Sequence, residues 1–138
     1  RYAVGMVVRD EHGTVLQYLM KSNGGGLSQR EAESEAMLMA IGWVREMGYE
    51  RCIFETDCQP VALAINGSDV DFSEFGTTIA ACRRQLHQQP HYTVSWVRRN
   101  RNGMTHELAR RSPYLVSIFL GVTPPNLCDS FVKDICTR

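Results

Sequence analysis

Two features of the sequence predict an α/β fold with a mixed β-sheet flanked by α-helices. Two alternating segments joined by a short turn, near the N-terminus, are typical of a β-hairpin. A long helical pattern then leads into a short β-prone run, so this later strand follows a helical crossover. The predicted order is β-β-α-β-α-α-β-α, followed by a C-terminal tail.

The predicted hairpin joins two strand patterns, YAVGMVVRD and TVLQYLMK, through a turn with Gly13 at the position that favours positive φ. The loop after it is KSNGGGLS. Ser28 and Glu31, three residues apart, match a capping box, so the first helix is predicted to begin near Gln29.

The first helix carries an apolar stripe at spacings of three and four residues: Ala36, Met37, Ala40, Val44 and Met47. Extended backwards, this stripe reaches Glu33, so a carboxylate faces the core. Gly48 is placed to end the helix, and the run RCIFETD predicts a strand that finishes at Asp57. The pattern therefore brings two acids, Glu33 and Asp57, towards one place.

The next elements follow from local start and stop signals. A helix of about two turns is predicted from Pro60 in its first turn to the stop at Gly67. The run GTTIAACRRQLHQQ predicts a longer helix that Pro90 ends, and HYTVSWVRR predicts a strand. A basic loop and a short helix capped by Thr105 complete the series.

Domain organisation follows from the irregular end of the chain. Residues 1–112 are predicted to form one domain, and residues 113–138 a tail that packs on it. The Pro-Pro pair in the tail argues against a second domain there. The absence of an initiating Met suggests a fragment of a longer protein.

Composition narrows the class of protein. A chain with 43% hydrophobic and 22% charged residues fits a globular domain rather than a disordered one. The net charge is zero, so any affinity for nucleic acid must come from a local basic patch. Five cysteines without a CxxC pair indicate reduced thiols and an intracellular protein, and no apolar run reaches the roughly 18 residues that span a membrane.

Each of the two acids also has a purely structural explanation. Glu33 near a helix N-terminus favours the helix dipole, and Asp57 could simply cap the following helix. Their convergence at the strand ends of an α/β sheet, where ligand sites form, instead favours a site for Mg²⁺ or Mn²⁺.

A basic segment follows the last predicted strand. It contains five arginines and a single acid, Glu107. The arginines are Arg98, Arg99, Arg101, Arg110 and Arg111. Such a cluster is either a solvated face or an edge that contacts phosphates. Trp96 lies on an alternating strand, and a place in the core is predicted for it rather than a role as a base-stacking platform, since an aromatic that stacks on bases should be exposed beside the basic edge.

Four segments resemble the plant ribonuclease H-like domains, the reverse-transcriptase-associated branch of the ribonuclease H (RNase H) superfamily. They are GMVVRDEHGTVL, AESEAMLMAIGWVREMG, IFETDCQPVALAING and VSWVRRNRNGMTHELAR. The resemblance covers about residues 4–112. It implies an RNase H-like fold and hydrolysis of the RNA strand of RNA:DNA hybrids by two divalent ions, Mg²⁺ or Mn²⁺, held by four acidic positions.

The resemblance also implies roles for individual residues. Glu33 and Asp57 match two of the metal-binding acids, and His106 stands where the family has a late Asp, with Asn102 at the matching Asn. The implied nucleic-acid contacts are Arg98, Arg99, Arg101 and Asn102. The candidate catalytic residues are Glu33, Asp57 and His106.

One departure from the family pattern concerns the first strand. The family's first acid lies on a strand upstream of GMVVRD, and the sequence shows neither that strand nor its Asp. The hairpin is then expected to pair directly with the Asp57 strand, or to leave a groove that another segment or chain fills, including by strand exchange. Hydrolysis is expected to be weakened or lost. The alternative function is a non-catalytic module that binds nucleic acid or protein.

Overall fold

The computed structural model describes residues 2–10, 14–23, 27–98 and 116–123. In chain order, the elements are β1 (Tyr2–Arg9), β2 (Val15–Asn23), α1 (Gln29–Glu46), β3 (Cys52–Thr56), α2 (Gln59–Asn66), α3 (Glu74–His87), β4 (Tyr92–Trp96) and β5 (Val116–Thr123). The predicted mixed α/β architecture is confirmed. The first seven elements follow the predicted order, whereas the Gly13 turn and the helix predicted from Thr105 lie outside the described residues.

The N-terminal hairpin forms as predicted. β1 and β2 pair antiparallel, with Tyr2 opposite Asn23 and Arg9 opposite Val15. At the end of the hairpin, the backbone N–H of Asp10 donates to the carbonyl oxygen of Thr14, and the N–H of Thr14 donates to Oδ1 of Asp10 at 2.9 Å. The Asp side chain thus stabilises the chain reversal.

β5 lies in the middle of the sheet, whose strand order is β2-β1-β5-β3-β4. It pairs antiparallel with β1 and parallel with β3. The sequence pattern does not predict this strand, because the apolar run VSIFLGV lacks the alternation that marks a half-buried strand. Of the two arrangements expected for the hairpin, direct pairing with the Asp57 strand is wrong: a segment of the same chain separates them.

The three described helices pack against one face of the sheet. The core combines the α1 stripe with apolar residues from the strands and from α2 and α3, including Met6, Val8, Phe54, Val61, Ile79 and Val94. Burying each large apolar side chain contributes about 1.5–3 kcal/mol. All five residues of β3 are buried, as expected for a strand paired on both sides.

Helix α1 has the predicted boundaries. Oγ of Ser28 accepts from the backbone N–H of Glu31 at 3.2 Å and donates to Oε1 of Glu31 at 3.0 Å. These two hydrogen bonds cap the N-terminus of α1, and such caps contribute about 1 kcal/mol to stability. At the other end, Gly48 has φ of 82°, the left-handed conformation that glycine adopts most easily.

Helix α3 begins two residues earlier than the predicted start at Gly76, because Ser73 caps it. Oγ of Ser73 accepts from the N–H of Gly76 at 3.1 Å, and the N–H of Ser73 donates to Oδ1 of Asp71 at 2.8 Å. Among the described helices, none combines the length and apolar character needed to cross a bilayer.

The backbone of Asp71, in the loop that precedes α3, lies so close to Gly76 that a larger residue fits there only if the backbone moves. A Cβ added at Gly76 would lie 1.9 Å from the carbonyl oxygen of Asp71, whereas one added at Gly42 in α1 would meet nothing within 4 Å. We predict that Gly76→Ala lowers the free energy of unfolding by about 1–3 kcal/mol, because backbone must move. The matched variant Gly42→Ala should raise it by about 0.5–1 kcal/mol. Urea denaturation measures both, and equal stabilities for the two variants would contradict the prediction.

Candidate functional site

Asp57 lies where β3 gives way to α2. The backbone N–H of Cys58 donates to Oγ1 of Thr56 at 3.1 Å, which turns the chain sharply after the strand. The N-cap residue of α2 is Cys58, so Asp57 does not hold the capping position that a purely structural role assigns to it. Asp57 is half-buried at the carboxyl end of β3.

Glu33 lies in the second turn of α1 and faces inwards, as the helical stripe predicts. Its side chain is only 1% exposed, whereas Glu35 on the same helix is exposed. A buried carboxylate is costly unless other groups compensate its charge. Such a position for an acid is therefore more typical of a functional site than of a solvated helix start.

The charges of both carboxylates raise the pKa of the same thiol, that of Cys58. Burial is the main cause that raises the pKa of Cys58, and the charges of Glu33 and Asp57 raise it further. A backbone hydrogen bond at Val61 and the guanidinium of Arg30 act in the opposite direction. Both predicted acids are thus close enough to act on the half-buried Cys58. Their roles as metal ligands or catalytic residues stay predictions.

The donor set that the structure describes does not fit a two-ion site. Within the described ranges, no group of three or more His, Cys, Asp or Glu side chains is placed to hold a metal ion. The strand beside β3 is β5, with Leu120 opposite Thr56, and Val116–Thr123 contains no acidic residue. In the part of the chain that the structure describes, two candidate carboxylates, Glu33 and Asp57, therefore stand where the family resemblance implies four.

Glu55 precedes Asp57 by two residues and is fully buried. Alternation along β3 places Glu55 on the same face as Ile53, a buried apolar residue outside the core cluster that the helices cover. Arg9 of β1 is buried as well. Glu55 is the one acid within Cys52–Thr56.

Trp96 lies at the same edge, at the end of β4. Its indole Nε1–H donates to the carbonyl oxygen of Asp57 at 3.3 Å, and the guanidinium carbon of Arg98 lies 5.9 Å from the centre of the indole ring. The side chain is 41% exposed, so the prediction that it lies in the core is wrong. We call Asp57, Trp96 and Arg98 the β3–β4 edge.

The error has a physical cause. Tyr92 and Val94 are buried under the helices, and alternation along β4 places Trp96 on their face. At Trp96, the last residue of the strand, however, the helices no longer cover this face of the sheet. The signal that could have found Trp96 is its position at a strand end, two residues before the first arginine of the basic segment.

Of the predicted nucleic-acid contacts, the structure describes Arg98, which is exposed. Arg99, Arg101, Asn102 and the predicted catalytic His106 lie outside the described residues. The candidate site therefore consists of Glu33, Asp57, Trp96 and Arg98 among the residues whose positions are known. Cys58 was not singled out by the sequence, because a lone cysteine carries no spacing signal.

The profile of the reverse transcriptase-like family matches residues 2–112, so the chain belongs to this family. A comparison with curated proteins gives no match. Two solved structures share the RNase H-like fold. RNase H1 from the halophilic archaeon Halobacterium salinarum NRC-1 has 20% identity and a TM-score of 0.65, covering 73% of this chain and 76% of that one.

The second similar structure is the N-terminal RNase H domain of Rv2228c from Mycobacterium tuberculosis, as a fusion protein with maltose-binding protein. It has 16% identity and a TM-score of 0.60, covering 78% of this chain and 91% of that one. At these identities the likeness establishes the fold. The RNase H-like resemblance drawn from the four motifs is confirmed at that level.

The alkylation rate of the Cys58 thiol tests whether the charges of Glu33 and Asp57 act on it. Negative charge nearby disfavours the thiolate, so Glu33→Gln and Asp57→Asn should each lower the pKa of Cys58. Because the thiolate is the reactive form, both variants should be alkylated faster than the wild type at the same pH. Peptide-resolved mass spectrometry over a pH series measures the rate at each cysteine.

Cys82 is the internal control, because burial raises its pKa to about 12 and neither acid contributes to that shift. Its rate should be the same in all three proteins. If neither variant changes the rate at Cys58, the two carboxylates do not act on one site.

Proposed function

We propose that this RNase H-like domain binds nucleic acid, an RNA:DNA hybrid or RNA, along the β3–β4 edge, and that its hydrolytic activity is weakened or lost. The observation that carries the proposal is the composition of this edge. The exposed Arg98 lies 5.9 Å from the ring of Trp96, whose N–H donates to the carbonyl oxygen of Asp57, while the neighbouring strand β5 brings no acid. Among the described residues, the proposed site thus has a group that can bind phosphate and two of the four acids that the family resemblance implies.

Binding is supported by Arg98 and by the residues that follow it in sequence. Arg98 is exposed at the end of β4, where a guanidinium is free to contact phosphate with two hydrogen bonds. Arg99, Arg101 and Asn102 are proposed to continue this contact surface, as the family resemblance implies. Because the net charge of the chain is zero, attraction to a polyanion depends on this local cluster.

Hydrolysis depends on the number of acids at the site. Glu33 and Asp57 would hold a divalent ion, Mg²⁺ or Mn²⁺, which would supply charge stabilisation for phosphodiester hydrolysis. Glu33 and Asp57 are the proposed ligands, with His106 at the position of the family's late acid. Losing about 3 kcal/mol of charge stabilisation slows a reaction more than a hundredfold.

Protein binding is a second candidate function, favoured by apolar side chains in the loop between α2 and α3. Phe72 is 95% exposed and Val70 is 75% exposed, beside a cavity of about 350 Å³ that Leu63 and Phe75 help to line. Exposed apolar groups that lie together are typical of protein contacts. Nucleic-acid binding is preferred, because the candidate acids and Arg98 are residues that the family resemblance implies at a nucleic-acid site.

Salt dependence distinguishes the two candidates. We predict that affinity for a labelled RNA:DNA hybrid falls steeply with KCl, because bound cations are released from the phosphates. Replacing Arg98, Arg99 and Arg101 by Ala should reduce the slope of log K against log salt by about 0.9 for each lost phosphate contact. Fluorescence anisotropy measures both quantities.

Arg51→Ala is the matched control for the arginine variants. Arg51 is exposed just before β3, at the opposite end of the strand from Asp57. Its replacement should leave the slope unchanged. An equal effect of Arg51→Ala would show that the slope does not report contacts at this edge, and an unchanged slope in the triple variant would point to protein recognition instead.

A cleavage assay on the same hybrid, with Mg²⁺ and with Mn²⁺, tests the second half of the proposal. We expect cutting at least about a hundredfold slower than by the archaeal RNase H1 assayed alongside. Any residual cutting should disappear in Asp57→Asn. Cutting at a comparable rate that Asp57→Asn abolishes would show a complete catalytic site and contradict the loss of activity.

A further inference from the structure

We propose that Trp96 and Arg98 form a stacking site for an unpaired nucleobase beside Asp57. The inference rests on the proposed function and names the substrate class that this edge prefers: nucleic acid with a single-stranded stretch or an open end. The ligand chemistry is a nucleobase face together with its phosphate. RNA and DNA both offer it, and the test separates them.

The orientation of the indole ring is set by hydrogen bonds at the strand ends. Nε1–H of Trp96 donates to the carbonyl oxygen of Asp57 at 3.3 Å. The next backbone N–H, that of Val97, donates to the carbonyl oxygen of Thr56 at 2.9 Å. The polar edge of the indole is therefore satisfied within the protein, and its apolar surface remains for a ligand.

The exposure of Trp96 is unusual for its type. The side chain is 41% exposed on β4, a strand at the edge of the sheet. Trp43, the other tryptophan, is only half-buried too, but it packs against the core from α1. An exposed aromatic ring whose N–H is already bonded gains most from a flat apolar ligand, because burial of the ring removes its surface from water.

Arg98 adds positive charge to the same surface. Its guanidinium carbon lies 5.9 Å from the ring centre, near the outer limit of a cation–π contact. Arg98 is also exposed, so its guanidinium is accessible to a phosphate. An aromatic ring with a neighbouring arginine is the combination by which proteins bind single strands, with stacking on the base and charge on the backbone.

The stacking surface selects against a continuous duplex. Inside a helix, both faces of every base are covered by neighbouring bases, so a side chain can stack only on a loop, an end or a single strand. The β3–β4 edge is therefore expected to prefer unpaired nucleotides over the body of a blunt hybrid. The bound base would lie next to the carboxyl end of β3.

The test uses Trp96 as its own reporter. In a Trp43→Phe background, Trp96 is the single tryptophan, and its fluorescence is followed while a single-stranded RNA, a DNA of the same sequence or their blunt hybrid is added. We expect saturable quenching by both single strands, at lower concentrations than with the hybrid. Quenching by RNA alone or by DNA alone would support the site and identify its source.

Two substitutions separate stacking from structure. Trp96→Leu should weaken single-strand binding, measured by anisotropy, roughly fivefold to a hundredfold, and should weaken hybrid binding by a clearly smaller factor. Trp96→Phe keeps a ring while removing the N–H bond to Asp57, and it should retain most of the affinity. Thermal unfolding of each variant confirms that the comparison is between folded proteins.

Two results would overturn the inference while leaving the proposed function intact. The first is binding by anisotropy without a change in Trp96 fluorescence. The second is an equal loss of single-strand and hybrid binding in Trp96→Leu. No binding of any of the three nucleic acids would overturn the proposed function itself, and the stacking site with it.

Discussion

The pairing of β5 on both of its sides is the constraint on which the rest of the sheet depends. β5 pairs antiparallel with β1 and parallel with β3, so it is the hydrogen-bonded link between the hairpin and the strand that ends at Asp57. Helix α1 contacts β1, β5 and β3 together, and this platform sets where Glu33 lies relative to Asp57. The position of Asp57 therefore depends on a segment that follows it by about sixty residues in sequence.

β5 also supplies the residues that lie opposite the end of β3. β5 runs parallel to β3, so its carboxyl end reaches the edge where Asp57 lies. Its residues there are Leu120 and Gly121, which bring no carboxylate. A chain can thus keep the RNase H-like sheet, which depends on backbone pairing, while the set of acids beside it changes. The fold alone therefore does not establish hydrolysis, and the proposed function rests on binding.

Local signals in the sequence predicted the elements whose causes are local. The capping box at Ser28 and the glycine at Gly48 set the limits of α1, and helical spacing correctly placed Glu33 towards the core. β5 could not be predicted in this way, because its stability comes from partners far away in the chain, and a continuous apolar run fits a strand, a helix or a packed tail equally well. Trp96 was misplaced for a related reason: alternation gives the face of a side chain, but it does not show where the covering helices end.

Hydrogen exchange measured by NMR tests the central position of β5 most directly. A strand bonded on both sides exchanges its amides only when the sheet opens, so protection in a central strand approaches that of global unfolding. Amides of Val116–Thr123 should be protected as strongly as those of Cys52–Thr56, and more strongly than those of β4 at the edge. Fast exchange throughout Val116–Thr123, alongside strong protection of Cys52–Thr56, would contradict the account, because β3 would then be stable without this strand beside it.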